Sequence, residues 1–230
     1  MVGAENTRTG IESTVPARLD RLPWSRFHLV VVVALGITWV LDGLEVTIVG
    51  SLSGILQSEH TLHLSSQQIG TMASCYVAGA VLGAVIFGWL TDRFGRRTMF
   101  YVTLAVYLIG VILSAISWNM ASFAGFRFIT GLGIGGEYAA VNSAIDELIP
   151  ARLRGRTDFI VNGSYWIGAA IGAAATILLL NPRLLPINLG WRLGFAIGGL
   201  LGLSILILRR YVPESPRWLV THGYERAGAR

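Results

Sequence analysis

Asp42, Glu45 and Arg127 each interrupt a long apolar stretch of this 230-residue chain. A charge at the centre of a bilayer costs roughly 2.5–3.5 kcal/mol on insertion scales, so ionisable residues in such a place are candidates for function by default. Asp42 and Glu45 are three residues apart and share a face of one helix. Asp42 lies about 12 Å from the outer end of its apolar run at 1.5 Å per residue, and Arg127 enters its own run to a similar depth. An arginine–carboxylate pair at matched depth lowers the cost of both charges. Protonating the acid would break the pair and free Arg127 for an anionic solute. A permanent structural ion pair would satisfy the same residues, and the spacing leaves both roles open. Tyr138 follows Arg127 by eleven residues, about three turns, and shares its face; Asn142 is about 60° off it. These two either line a cavity or pack one helix on another. Glu137, about 80° from Arg127 and nearer the cytoplasm, is either a second titratable site or a packing partner.

A second charged group is the link Gly88-Trp89-Leu90-Thr91-Asp92-Arg93-Phe94-Gly95-Arg96-Arg97. The runs on either side, 69–87 and 98–118, carry no formal charge. A link this short, with one acid and three arginines, holds two membrane helices together at one face of the bilayer. Glu147, Arg154, Gly155 and Arg156 form a comparable group further on, and Glu214 and Arg217 a third.

The elements that position these residues follow from apolar length. With 53% hydrophobic and 13% charged residues, and a mean hydropathy of +0.60, the chain reads as a polytopic membrane protein. Runs near the ~20 residues that cross a bilayer predict six helices, at about 28–50, 68–90, 98–117, 121–148, 157–180 and 190–208. Residues 1–26 read as a cytoplasmic tail, 27–208 as the bundle, and 209–230 as a cytoplasmic segment after span six. Most arginines fall before span one, between spans two and three, between four and five, and after six, whereas the opposite connections hold only Arg183 and Arg192. This asymmetry predicts both termini in the cytoplasm. It also assigns the net charge of +5 to topology and anionic lipid rather than to nucleic acid. Trp24, Trp89, Trp118, Trp191 and Trp218 fall near span ends, as an interfacial belt requires. Gly79/Gly83, Gly131/Gly135, Gly168/Gly172, Gly194/Gly198 and Gly198/Gly202 are glycine pairs that allow close helix approach.

Other features point away from soluble chemistry. Gly131-Leu132-Gly133-Ile134-Gly135-Gly136 has the spacing of a dinucleotide fingerprint but lies inside a predicted membrane helix, not in a βαβ unit. Asn162-Gly163-Ser164 fits a glycosylation sequon yet lies in span five. Cys75 is the single cysteine, within an apolar run, so no intrachain disulfide forms. His28, His60, His63 and His222 are scattered at span ends or in loops and read as solvated. The pattern holds no metal-ligand cluster, nucleophile elbow or phosphate loop, so neither an enzyme nor a cofactor is expected.

The spacing Gly88-x-x-x-Asp92-Arg93-x-Gly95-Arg96-Arg97 between two spans resembles the signature loop of the major facilitator superfamily of secondary transporters. Glu147-x-x-Pro150-x-x-x-Arg154-Gly155-Arg156 and Pro213-Glu214-Ser215-Pro216-Arg217-Trp218-Leu219 are similar to sugar porter blocks after spans four and six. Asp42-Gly43-Leu44-Glu45 resembles the Asp-Gly-x-Asp of aromatic-acid/proton symporters, with glutamate for the second aspartate. Arg127-Phe128-x-x-Gly131-x-Gly133-x-Gly135-Gly136 resembles span four of both branches. The resemblance implies an all-α membrane protein, a six-helix bundle that is half of a twelve-helix fold and is built as a 3+3 inverted repeat. It implies proton-coupled symport of a small organic solute by alternating access, with the cytoplasmic charges forming a latch that holds the outward-facing state. Ala169 stands where sugar porters carry a sugar-contacting glutamine, so an organic acid is slightly favoured over a sugar. The superfamily binds substrate between two halves, so a C-terminal six-span half, or self-association, is an expected partner. A non-transporting receptor or scaffold on the same fold is the alternative. Retained intramembrane charges argue against it, since a scaffold has no reason to bear their cost.

Overall fold

Residues 15–59, 61–209 and 214–221 are described by a computed structural model. Two short helices, α1 (Val15–Asp20) and α8 (Pro216–Thr221), flank six long ones: α2 (Arg26–Leu56), α3 (Ser66–Phe94), α4 (Arg96–Ala115), α5 (Met120–Leu148), α6 (Ala151–Leu179) and α7 (Ile187–Arg209). Several run beyond the apolar stretches that predict them, because caps and turns rather than hydropathy set their ends. Ser65 Oγ accepts from the backbone N–H of Gln68 while Gln68 Oε1 accepts from that of Ser65, a reciprocal capping box that starts α3. Asn119 and Ser122 start α5 in the same way. Gly95 alone separates α3 from α4, at φ 90°, a left-handed conformation open to glycine. A Cβ there would also collide with the Glu214 carboxylate.

Among the described residues, α2, α3, α4 and α6 are by themselves long and apolar enough to cross a membrane. α7 contributes a shorter apolar stretch, Ile187–Leu203. α5 has the length of a span at 29 residues, but it carries Arg127, Glu137 and several glycines. It can do so because those residues are buried inside the bundle.

α3 packs along α5 and α2 along α6, while α4 lies against α5 and α7, and α7 also against α2. Exchanging the triplet α2–α4 with α5–α7 maps this set of neighbours onto itself, as a 3+3 repeat requires. Glycines set the two tightest seams. A Cβ on Gly79 or Gly83 would strike backbone of Phe128 or Leu132, and one on Gly131 or Gly135 would strike the Tyr76 or Ala80 carbonyl. Across α2 and α6, Gly43 faces the Tyr165 carbonyl and Gly168 the Val40 carbonyl. The paired α7 glycines differ: Gly194, Gly198 and Gly202 meet side chains of Ile48, Val111 and Leu108 rather than backbone.

Two expectations are corrected. Trp191 is not part of an interfacial belt: it is fully buried, packed edge-on against Phe123 and Phe195. Trp24, Trp89 and Trp118 remain exposed. His28 is not solvated, because its ring is buried, accepts the Ser25 backbone N–H through Nδ1 and stacks on Trp24. His60 and His222 lie outside the described residues.

Burial is uneven in a way that matters for function. Of the apolar stretches, 61% of α2 and 56% of α4 is buried, against 17% in both α3 and α6. Val81, Val85, Phe159, Trp166 and Ile177 on those two helices all face outward.

Candidate functional site

The charged centre forms where α2 and α5 face each other. Their backbones approach at few points, so side chains fill the space between. Glu45 and Arg127, each nearly fully buried, form an ion pair through Glu45 Oε1. The guanidinium also lies over the Tyr76 ring, 4.6 Å from its centroid, and 5.7 Å from that of Phe195. An aromatic face stabilises a desolvated cation, so Arg127 is held by charge and by ring quadrupoles together. Asp42 does not pair with Arg127. It accepts a hydrogen bond from the Tyr138 hydroxyl and a longer one, 3.4 Å, from that of Tyr76. The rings of Trp39 and Tyr138 stack in parallel, 4.4 Å between centroids and 5° between planes.

The helix-face argument thus brings Asp42, Glu45, Arg127 and Tyr138 together. Glu137 is buried, and Asn142 is exposed and outside this cluster. Sequence reasoning missed Trp39, Tyr76 and Tyr107. Trp39 had a usable signal, since it precedes Asp42 by three residues on the same face. The two tyrosines had none, because each sits on a different helix inside an uncharged run.

At the other charged group, the expected meeting of all the motif residues is narrower in fact. Arg96 is the hub: its guanidinium bridges Asp92 and Glu147 at 2.9 Å each, and also donates to Ser143 and to the Thr91 carbonyl. Glu214 accepts from the backbone N–H groups of Arg96 and Arg97, capping α4, and pairs with no arginine side chain among the described residues. Trp218 Nε1 donates to the Asp92 carbonyl. Arg93 lies over Trp89, Arg154 donates to the Ile149 carbonyl, and Gly88 sits near Ala139. Gly155 is in open space. Arg93, Arg97 and Arg156 form no ion pair among the described residues, and the side chain of Arg217 lies outside them.

The two acids on Arg96 differ in exposure, 76% for the Asp92 side chain and 9% for that of Glu147. An exposed pair is worth about 0–1 kcal/mol, whereas removing one partner of a sheltered pair costs more because it strands a desolvated charge. Glu147→Gln should therefore slow or uncouple transport more than Asp92→Asn in a protein that joins this chain to a second six-helix half. Equal losses in a paired uptake assay would show that shelter does not set the strength of this network.

A six-helix bundle with internal 3+3 symmetry, buried charges between its first and fourth long helices and an arginine hub at one end defines half of a major facilitator fold. The family described as sugar (and other) transporter matches residues 30–230, and the chain belongs to it. The niacin transporter NiaP of Acinetobacter baylyi is 31% identical over 207 residues, 90% of this chain and 45% of the relative. Myo-inositol transporter 2 of Schizosaccharomyces pombe is 34% identical over 82% of this chain and 33% of its own length. The 4-hydroxybenzoate transporter PcaK of Acinetobacter baylyi is 28% identical over 90% and 44%. These relatives are transporters, not enzymes. In fold, the chain matches the xylose transporter XylE from E. coli with a TM-score of 0.78 and 21% identity, over 88% of this chain and 54% of that one. The chain spans about half, or less, of the length of these relatives.

Proposed function

We propose that this chain is the N-terminal half of a proton-coupled secondary transporter for a small organic solute, an organic acid in preference to a sugar. The observation that carries the reading is the buried Glu45–Arg127 pair beside Asp42, which two tyrosine hydroxyls hold. A proton reaching the carboxylate removes the attraction that holds Arg127, and the cation becomes available to an anionic solute. Relatives described as carrying niacin and 4-hydroxybenzoate support the acid, and one described as carrying myo-inositol keeps polyols in view. Ala169, in place of the sugar porters' glutamine, weighs against hexoses. XylE is described as a proton:xylose symporter, which supports the coupling ion. The outward apolar faces of α3 and α6 suit lipid and a second bundle against which this one rocks.

The test is reconstitution. The 230-residue chain alone in proteoliposomes should give no uptake of labelled niacin, 4-hydroxybenzoate or myo-inositol driven by a pH gradient. Joined to a second six-helix half it should accumulate one of them, and Glu45→Gln should abolish accumulation while sparing some exchange. Gradient-driven uptake by the chain alone would overturn the half-transporter reading and point to a functional homodimer. Orientation in the cell membrane, as a multi-pass protein of a bacterial inner membrane with both termini cytoplasmic, is part of the same reading. In a Cys75-free background, an impermeant thiol reagent should label Ser58→Cys but not Arg156→Cys in intact cells. The reverse pattern would invert the topology.

A further inference from the structure

Three polar atoms at the charged centre have no hydrogen-bond partner among the described residues, and one of them, Trp39 Nε1 on the indole stacked against Tyr138, can only donate. Glu45 Oε2, the carboxylate oxygen that does not face Arg127, is buried with no hydrogen bond among the described residues. The Tyr107 hydroxyl, on α4, is also buried and also without one. Tyr107 is 2% exposed and belongs to the same buried cluster as Leu44, the chain neighbour of Glu45, and Phe195, with Tyr76 and Tyr138 packed against it. Its place is set by Gly133: a Cβ there would collide with the Tyr107 backbone, so only glycine lets α4 approach α5 this closely. An acceptor and a donor, each desolvated and each unmatched, thus share one cluster.

A buried polar group is normally satisfied, and an orphan in a native fold calls for an explanation. The chemistry here offers one. An ionised carboxylate only accepts hydrogen bonds, and Arg127 takes it as a charged partner. Once protonated, the carboxyl both donates and accepts, has little attraction for a cation, and is best matched by a neutral group that also does both. A tyrosine hydroxyl is such a group.

We propose that Tyr107 is a positioning residue that receives the protonated Glu45 side chain, so that Arg127 is released. The proton arrives from the aqueous side and stays on the Glu45 carboxyl. Arg127 keeps its charge throughout, and the Tyr107 O–H bond does not break. The inference deepens the reading of Glu45–Arg127 as the coupling pair and rests on it. The other groups facing Glu45 have duties in the ionised state: Asp42 holds Tyr138 and Tyr76, and Tyr76 and the α7 residue Phe195 flank Arg127. From α6, Tyr165 packs its backbone carbonyl against Gly43, the chain neighbour of Asp42. Tyr107 is left with no such task.

The test is an infrared pH titration of the 230-residue chain in lipid bilayers, with the Glu45 carboxyl band identified by its loss in Glu45→Gln. Tyr107→Phe keeps the ring and removes one oxygen. In that variant the protonated Glu45 carbonyl band should move to higher wavenumber. The titration should need an about three- to tenfold higher proton concentration, the worth of one lost hydrogen bond. An unmoved band and midpoint, or a midpoint shifted toward alkali, would overturn the proposal. So would a Glu45 band in the unsubstituted protein already at the position of a carboxyl free of hydrogen bonds, a result that does not depend on the Tyr107 variant. Proton-driven uptake by the two-half protein that survives Glu45→Gln would instead overturn the coupling role of the pair, whatever the infrared band shows.

Discussion

Arg127→Gln is expected to have the largest effect of any single substitution in this chain. It leaves the Glu45 carboxylate buried with no counter-charge among the residues that now touch it. Removing one partner of a buried ion pair costs about 3–5 kcal/mol, because the remaining charge keeps its full desolvation penalty. Glu45→Gln should be similarly harmful, since it strands the guanidinium between the Tyr76 and Phe195 rings. The double variant Glu45→Gln/Arg127→Gln should recover most of the lost stability, as both charges are gone together. It should not recover proton-driven accumulation in the two-half protein. Thermal unfolding in detergent beside uptake in proteoliposomes separates the two effects. A double variant that restores uptake along with stability would return the pair to a purely structural role.

The second large effect is expected at Gly135. A Cβ there would overlap the Ala80 carbonyl, and the obstacle is backbone, which cannot rotate away as a side chain can. Gly135→Ala should force α3 off α5 along one of the bundle's two tightest seams, at a cost of about 1–3 kcal/mol for overpacking. Gly163→Ala is the matched control: nothing lies within 4 Å of that position. Because alanine is the better helix former, the control should be neutral or stabilising by up to about 1 kcal/mol. Monodispersity and thermal midpoint of the two purified variants decide the matter. Equal midpoints would mean that the seam can relax, and that the paired glycines do not enforce it.

Much of this protein was legible in the sequence. Six apolar runs gave the long helices, since a bilayer demands length and internal hydrogen bonding whatever the packing. Arg127, Asp42 and Glu45 stood out as costly charges, and helical spacing put Tyr138 on the Arg127 face. Gly95 between two uncharged runs gave the tight link. Only the tertiary structure decided which carboxylate takes Arg127. Asp42 and Glu45 differ by one helical turn and about 60° around the axis, so the choice depends on how α2 tilts and rotates against α5. No local pattern fixes that rotation, which the glycine seams to α6 and α3 impose from outside. For the same reason Trp191 turned inward although its position read as interfacial, and Tyr76 and Tyr107 came to the charged centre from helices with no charge to announce them. Periodicity assigns a residue a face and a depth, but what that face meets is set by helices far away in the chain.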